Sequence, residues 1–388
     1  MCKPARTLRP PRRAVAGERN EATLTDRERF VSCVLGKPVD RVPFWLFWGP
    51  WGWTWQRWQR DGKPDEITDH RSFLKPDSPP QVVPVNCGPC PPFERRVISE
   101  TEHDVVFTDS WGIVRRDYKH GESMPEFLRF PVAGREDWER YKAQRLDPHH
   151  PDRFPANWRE RCRGWMEQEL PIQLGYYPDV TIYGGLRWLM GDEECLYAFY
   201  DEPELVRDIM THLTDLYLTV FSEVVKHVRV DLIHIWEDMC GRQGPLISPA
   251  HWREFMGPCY RRIKGFAESH DITILSVDTD GRPDDIVPPM MEAGVNYLWP
   301  MEVAAGCDVN SYRERFPKLA LMGGIDKRAL AKRPEAIDAE LDRVWPAVLK
   351  GRYIPELDHG IPDDVSWENY VHYATQLRER VMAMAEPA

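Results

Sequence analysis

Two aspartates at the end of an apolar run are the residues of this sequence best placed to do chemistry. Asp278 and Asp280 stand two positions apart in "ITILSVDTDG", just before Gly281. Alternate residues of a strand point the same way, so both carboxyl groups would face one spot. Carboxylates that share a site repel each other, so a cation or a bound proton must compensate them.

Acidic residues also follow four other apolar runs. They are Glu237 and Asp238 after the first run, Glu302 after the second, Asp326 after the third, and Asp358, next to His359, after the fourth. In a barrel of alternating strands and helices, active sites lie at the carboxyl ends of the strands. These acids would therefore meet at one face of the molecule. Acids are also favoured as helix N-caps just after strands. That structural alternative suits Asp326 and Glu302 better than Asp278, which still lies within its run.

Two interpretations of the acid cluster stay open. A divalent metal could bridge Asp278, Asp280 and His359, with Glu237 completing the set. Mixed oxygen and imidazole ligands accept zinc and also harder metals such as manganese or iron. In the second interpretation one carboxyl group stays protonated and acts as a general acid. In both, Asp278, Asp280 and Glu237 are the expected catalytic residues.

A cluster of tryptophans suggests a substrate-binding wall. The segment 44–58 reads "FWLFWGPWGWTWQRW", and strand alternation can bury only some of its rings. Flat aromatic side chains at a strand end are typical of a binding surface, and the alternative is a well-packed first strand. The side chains expected to contact substrate are Trp45, Trp48, Trp236, Glu302 and Asp326.

The elements that must position these residues alternate between strands and helices. Seven runs predict strands, and they are 41–48, 171–177, 230–236, 272–278, 295–300, 319–324 and 352–357. Near-continuous apolar runs between amphipathic helices are typical of a parallel sheet, which favours an α/β fold. We expect a single (β/α)8 TIM barrel with one strand missed or irregular. A doubly wound open sheet is the alternative, but no glycine-rich phosphate loop opens a helix.

Residues 60–160 are rich in Pro, Asp and Arg and predict an insertion after the first strand that caps the barrel. Within them, 104–117 ("DVVFTDSWGIVRRD") predicts a hairpin. Helix starts are predicted at three N-caps, which are Asp201 with Glu204 in a capping box, Ser248 before Pro249, and Ser366.

Composition excludes some classes of function. The net charge of the 388 residues is −11, which does not suit a nucleic-acid binder. No run of 18 apolar residues predicts a membrane helix. Residues 1–22 are basic and proline-rich and predict a disordered tail. Nine scattered cysteines favour a reducing cytoplasm, and the prolines after Cys90 favour a plain loop at Cys87–Cys90 over a redox motif.

Six stretches in chain order resemble the uroporphyrinogen decarboxylase superfamily. They are "DRERFVSCVLGKPVDRVPF", "GDEECLYAFYDEPELV", "DLIHIWEDMCGRQGPLISPAHWREFMGPCYRRI", "DTDG", "LMGGIDKRAL" and "YIPELDHGIPDDVSWENY". The resemblance implies one (β/α)8 barrel over 23–388, with 60–160 as its insertion or cap.

The resemblance implies two activities. True decarboxylases of this superfamily carry an arginine-rich segment near the first strand, where this chain has "RVPFWLFWGPWGW". The other branch of the superfamily, the corrinoid-dependent methyltransferases, looks like a group of zinc enzymes with a His-x-Cys pair after a strand and a later Cys. In this chain Asp278 and Asp280 occupy the positions of the His-x-Cys pair, and Asp358–His359 lie near the position of the later Cys.

We therefore expect a methyltransferase-like enzyme that moves a methyl group between a small methylated compound and a corrinoid. The expected partners are a corrinoid carrier protein and a small-molecule methyl donor, without nucleic acid or membrane, and a homodimer is considered. The alternative activity is decarboxylation of a tetrapyrrole or another acidic substrate. A barrel that binds corrinoid or a carrier protein without chemistry is a third hypothesis.

Overall fold

A computed structural model describes residues 24–119 and 124–385. The tail predicted at 1–22 lies outside these ranges. The strands are β1 (Gln81–Val82), β2 (Arg96–Glu100), β3 (Asp104–Thr108), β4 (Val114–Tyr118), β5 (Glu126–Arg129), β6 (Ile172–Leu174), β7 (Leu232–Trp236), β8 (Cys240–Gly241), β9 (Gly244–Pro245), β10 (Ile274–Asp278), β11 (Tyr297–Trp299), β12 (Ala320–Ile325) and β13 (Tyr353–Leu357).

The α-helices are α1 (Asp26–Leu35), α2 (Thr54–Arg60), α3 (Arg135–Arg145), α4 (Trp158–Glu167), α5 (Tyr183–Met190), α6 (Asp192–Asp201), α7 (Pro203–Val224), α8 (Pro249–His251), α9 (Gly257–Ser269), α10 (Val287–Glu292), α11 (Val309–Arg315), α12 (Pro334–Leu349) and α13 (Trp367–Ala383). A single π-helical turn, Trp252–Met256, joins α8 to α9. Within the described ranges, no helix is both long and apolar enough to cross a membrane.

A parallel sheet of seven strands forms the centre of the molecule, in the order β1-β6-β7-β10-β11-β12-β13. Its last six strands coincide with the runs predicted at 171–177 through 352–357, so these predictions are confirmed. Every residue of β12 and β13 is buried, as expected where helices cover both faces. The mixed α/β architecture is consistent with a TIM-like fold, and an eight-stranded closure stays a prediction.

The strand predicted at 41–48 is wrong. This segment pairs with no strand in the described ranges, and its backbone is held instead by single hydrogen bonds. The Phe47 N–H donates to Glu356 Oε2 at 2.9 Å, and the Asp77 N–H donates to the Phe44 carbonyl at 2.9 Å. Pro43 has no N–H to donate to a ladder, and the parallel bridge between Pro50 and Ile361, just after this segment, stays isolated. The first strand of the sheet is β1, only two residues long.

A separate antiparallel sheet, β2-β3-β4-β5, lies between β1 and β6 in the chain. The hairpin predicted at 104–117 is confirmed, because β3 pairs antiparallel with β4 from Asp104–Tyr118 to Thr108–Val114. The sheet falls inside the region predicted as a cap, and β5 supplies part of the cavity wall described below.

The amphipathic helices pack as their apolar spacing predicts. Leu205, Ile209, Leu213, Leu216 and Val220 of α7 are all fully buried. The N-caps Ser248 and Ser366 are confirmed, since their side chains accept hydrogen bonds from the N–H groups of residues 251 and 369. The cap predicted at Asp201 is wrong, because that residue ends α6 and α7 starts at a proline without a side-chain cap.

Candidate active site

Three neighbouring strands end in register at one side of the parallel sheet. Asp278, the last residue of β10, pairs with Trp236 of β7 on one side and with Trp299 of β11 on the other. Register partners in a sheet point to the same face, so the three side chains form a row. The Thr279 N–H donates to the Trp299 carbonyl at 3.0 Å and fixes the point where the chain leaves the strand.

This row lines a cavity of about 680 Å³. Nine aromatic side chains line it, and they are Trp48, Trp51, Phe127, Phe130, Tyr176, Tyr177, Trp188, Trp236 and Trp299. The rings contact one another edge to face, as Trp48 and Trp299 do at 6.0 Å between centroids and Tyr177 and Trp236 do at 4.8 Å. A cavity of this size with an aromatic wall suits a small organic molecule. The predicted substrate contacts Trp48 and Trp236 both lie in this wall.

Charged side chains complete the cavity, and they are Asp192, Asp238, Asp278, Asp280, Glu302, Arg115, Arg187 and Lys327. The carboxyl groups of Asp278 and Asp280 accept no hydrogen bond from the described residues. The ring of His359 lies beside Asp280, with 3.8 Å between His359 Nε2 and Asp280 Oδ2. The structure therefore brings Asp278, Asp280, Glu302 and His359 to one cavity.

Burial and mutual repulsion raise the pKa of both aspartates. Burial, followed by the charges of Asp280 and Asp238, raises the pKa of Asp278 well above its ordinary value. Burial and the charges of Asp238 and Glu302 raise the pKa of Asp280 to about 7, although Lys327 opposes this shift. A carboxyl group with a pKa near neutrality is matched to general acid or base catalysis.

His359 remains neutral beside these acids. Its ring stacks on Trp48 with 4.7 Å between centroids and 19° between planes. Burial, and then the charge of Lys327, lowers the pKa of His359 to about 4. A neutral imidazole can accept or donate a hydrogen bond to Asp280 or to a bound molecule, but it supplies no positive charge at neutral pH.

The turn after Asp280 depends on a glycine. Gly281 has a φ of 79°, and a Cβ added there would lie 2.7 Å from the backbone of Cys240. The Gly281 N–H donates to Glu302 Oε2 at 2.9 Å, so Glu302 both lines the cavity and braces this turn. Gly281 is thus the residue that lets the chain double back and leaves the Asp280 side chain facing the cavity.

Glu237 is not where the sequence predicts it. Its side chain is fully buried beneath the start of α5 and does not line the cavity. Oε2 accepts hydrogen bonds from the N–H groups of Ile182, Tyr183 and Gly184 at 2.7–3.2 Å, and Oε1 accepts the Tyr260 hydroxyl at 2.6 Å. Burial raises the pKa of Glu237 to about 7, while these donors lower it. The predicted catalytic and metal-ligating role of Glu237 is corrected to a structural one, since it binds a helix N-terminus.

Other predicted site residues also serve the fold. Asp326 accepts the Arg328 N–H at 3.0 Å and lies outside the cavity. It is therefore a helix N-cap, the alternative considered for it from the sequence. Asp358 is buried and accepts the N–H groups of Val303 and Lys327 at 3.0 and 3.1 Å. Trp45 belongs to the buried core and lines a smaller cavity deeper in the molecule instead of the main one.

The sequence analysis did not predict the basic side chains of the cavity or the part of its wall that β5 supplies. Arg187 lies on α5, and its guanidinium binds the Asp238 carboxyl at 3.2 Å and also Asp192. Asp238 has a φ of 44°, which turns its side chain to the cavity while its neighbour Glu237 points inward. Lys327 follows Asp326 directly in the chain. Its position just after the predicted strand 319–324 could have indicated that Lys327 lies at the site.

The residues present do not fit a metal centre of the predicted composition. In the ranges 24–119 and 124–385, no three or more His, Cys, Asp or Glu side chains are grouped to hold a metal ion. Glu237 is already fully occupied by backbone donors, and His359 approaches only Asp280. The predicted set of Asp278, Asp280, His359 and Glu237 is therefore not assembled, and the proton interpretation suits this geometry better.

The eight described cysteines are unpaired and buried. Cys87 and Cys90 lie in a loop without regular structure, as the prolines predict, and Cys90 Sγ lies 3.3 Å from His150 Nδ1.

The parallel sheet and the acidic, aromatic cavity at its strand ends define a TIM-like α/β protein with an enzyme-like site. The family model "Uroporphyrinogen decarboxylase (URO-D)" matches residues 189–380. This match supports the superfamily that the sequence resembles, and it covers Asp278, Asp280, Glu302 and His359. Comparison with curated proteins finds no match. Members of the URO-D family are generally enzymes, which supports an enzymatic function.

Proposed function

We propose that this protein is a methyltransferase-like enzyme that moves a methyl group from a small methylated compound to a corrinoid held by a separate carrier protein. The observation that carries the proposal is the pair Asp278 and Asp280, two carboxyl groups with raised pKa values on the floor of an aromatic cavity. The match to the URO-D family supports an enzyme of this superfamily but does not select the methyltransferase branch.

The carboxyl pair would act on the heteroatom that bears the methyl group. As the methyl group departs, the bonding electron pair stays on the oxygen or nitrogen of the donor. A proton delivered from Asp280 or Asp278 neutralises that electron pair and makes the donor a better leaving group. The corrinoid, when its carrier is docked, supplies the cobalt that accepts the methyl group.

The aromatic wall would hold the donor for this proton transfer. Trp236 and Trp299 flank Asp278 in register, so a flat or apolar donor bound between them lies next to the carboxyl group. The indole Nε1–H groups of Trp48 and Trp188 have no hydrogen-bond partner among the described residues. Both side chains line the cavity, and these donors are available to an oxygen of a bound molecule.

Methylation of cob(I)alamin by the purified protein tests the proposal, with methoxy and methylamine compounds as donors. We expect Asp280→Asn and Asp278→Asn each to lower the rate about 100-fold or more, because an amide cannot deliver the proton. Asp338→Asn is the matched control, because Asp338 pairs with His372 on the helical surface. A folded protein that is inactive across a broad donor panel would contradict the proposal.

The alternative, decarboxylation of an acidic substrate, needs cations that are free to bind carboxylates. Two of the three basic side chains in the cavity are already paired, since Arg187 binds Asp192 and Asp238 and Arg115 binds Asp117 at 2.8 Å. The geometry thus favours a neutral or weakly charged donor. Carbon dioxide release, measured with tetrapyrrole substrates and no corrinoid, would instead support the alternative.

The metal, the carrier protein, the homodimer and the cytoplasmic location stay predictions. Elemental analysis of the purified protein separates the metal interpretation from the proton interpretation. A binding protein instead of an enzyme would be indicated by two results together. Wild type would show no turnover, and the double variant Asp278→Asn with Asp280→Asn would still bind corrinoid.

A further inference from the structure

A second, smaller cavity of about 130 Å³ adjoins the main one inside the parallel sheet. The two cavities share the side chains of Tyr176 and Trp299. Much of the wall of the smaller one is apolar, with Val82, Leu232 and Met322 among its lining residues. We name it the inner cavity. It lies at the level of the sheet, below the carboxyl ends of the strands.

Three polar atoms from side chains that line the inner cavity lack hydrogen-bond partners in the described part of the chain. They are Trp45 Nε1, His234 Nε2 and Tyr297 Oη. Each residue is 2% exposed or less, so bulk water does not reach these atoms. A buried polar group without a partner destabilises the fold. Three such groups around one cavity indicate that something in the cavity pairs with them.

The neighbours of His234 determine which nitrogen carries its proton. The Trp299 indole N–H donates to Ser276 Oγ at 2.9 Å, and Ser276 Oγ lies 3.2 Å from His234 Nδ1. Since Ser276 already accepts from Trp299, its own hydrogen is best satisfied by donating to Nδ1. The ring proton of His234 then lies on Nε2. Burial lowers the pKa of His234 to about 3, so the ring is neutral. The inner cavity therefore has three neutral donors.

The charges around the inner cavity select the ligand class. Among the residues that the structure describes, no lysine or arginine lines the inner cavity. Burial, and then Cys33 and Glu356, raises the pKa of Tyr297 well above its ordinary value, so its hydroxyl keeps its proton and is a hydrogen-bond donor. An anion would lose its hydration here without gaining a cation, which is costly. An uncharged oxygen acceptor can take the three hydrogen bonds without that penalty. A space of about 130 Å³ compares with the ~30 Å³ that one water occupies in the liquid, so a small group fits.

We propose that the inner cavity is a binding subsite for a small uncharged group with a hydrogen-bond acceptor oxygen, of the carbonyl type, held by Trp45, His234 and Tyr297. The group is either a separate small molecule or the inner end of a molecule that also occupies the main cavity. The subsite does not depend on methyl transfer, so it can be tested without activity.

Binding of acetone, with acetate as a charged probe of similar size, tests the subsite in protein labelled with ¹⁵N-tryptophan. The Trp45 indole signal is identified by its loss in Trp45→Phe. We expect acetone to shift that signal with saturation, and acetate at pH 7.5 to leave it unchanged. Tyr297→Phe should weaken acetone binding about fivefold, the effect of one hydrogen bond worth about 1 kcal/mol.

Tyr312→Phe is the matched control, because it also removes the hydroxyl of a buried tyrosine, and Tyr312 does not line the inner cavity. It should leave acetone affinity unchanged. His234→Gln serves as a second variant if Tyr297→Phe does not fold. The proposal is overturned if acetone gives no saturable shift, if acetate binds equally well, or if ordered water alone fills the cavity and acetone does not displace it.

Discussion

Glu237 and Asp280 both follow strands of the same parallel sheet, yet the structure uses their carboxyl groups in opposite ways. Glu237 binds three backbone N–H groups of α5 and the Tyr260 hydroxyl, and its side chain is closed to the cavity. Asp280 accepts no hydrogen bond from the described residues, and its side chain is 44% exposed. The first carboxyl group stabilises the fold, and the second is available to a ligand.

The difference arises from what stands opposite each strand end. The N-terminus of α5 supplies donors to Glu237, whereas the neighbours of Asp280 are acids, the neutral ring of His359 and a single lysine. A carboxyl group at a strand end is therefore a candidate for chemistry only when no helix N-terminus or arginine has already bound it. Asp326 and Asp358 follow the pattern of Glu237.

Removing the Glu237 carboxyl group should have the largest effect on stability. Glu237→Ala leaves three N–H groups and one hydroxyl buried without partners, so we expect it to lower the free energy of unfolding by about 3 kcal/mol or more. Asp280→Ala should change it by less than about 1 kcal/mol, since no partner is lost. Urea denaturation followed by circular dichroism measures both.

Tyr260→Phe is the graded control for this pair, because it removes only the hydroxyl that binds Glu237 Oε1. Its expected cost is about 1–2 kcal/mol. Equal losses for Glu237→Ala and Asp280→Ala would show that the two carboxyl groups do not differ as described.

The dependence of stability on pH should also separate the two regions. A raised pKa in the folded state means that the protonated aspartates stabilise the fold fully below their ordinary value of 3.8. The contribution of Asp280 is lost as the pH rises through about 7, and that of Asp278 is lost as the pH rises through its own raised pKa. Between pH 4 and pH 8, we expect the free energy of unfolding of wild type to fall by about 1 kcal/mol more than that of the double variant Asp278→Asn with Asp280→Asn. The difference is small because solvent screens the exposed Asp280. Denaturation curves at several pH values measure this difference, and parallel curves would contradict it.

A smaller effect is expected at His359, where burial against Trp48 keeps the ring neutral. Trp48→Leu opens one face of the imidazole to water. The pKa of His359 should then rise from about 4 toward its ordinary value, by about one pH unit. Proton NMR titration of the His359 ring follows the change. An unchanged titration would mean that stacking on Trp48 does not cause the shift.

The six strands of the parallel sheet after residue 170 could be predicted because each is a short apolar run covered on both faces. The segment 41–48 shares that composition, but its backbone has no strand to pair with, and composition does not reveal pairing. The strand β1 is too short, and too close to Pro79, Pro80 and Pro84, for any periodicity to appear.

The candidate site was predicted in part for the same reason. Asp278 and His359 follow strand ends, and parallel register brings such positions together. The burial of Glu237 depends on where α5 begins, some 55 residues earlier in the chain, and no local pattern reports that contact. The cavity wall from β5 depends on how the antiparallel sheet packs over the strand ends, which spacing along the chain does not encode.

Infrared difference spectroscopy of the carboxyl groups, recorded as a function of pH on wild type and Asp280→Asn, tests the central claim most directly. The expected result is that wild type has one more protonated carboxyl component at pH 6 than the variant, that this component disappears with a midpoint near 7, and that the components of Asp278 and the buried Glu237 remain in both proteins. If the aspartates are fully ionised down to pH 5, no proton resides between the strand ends, and the proposed acid chemistry at this cavity is contradicted.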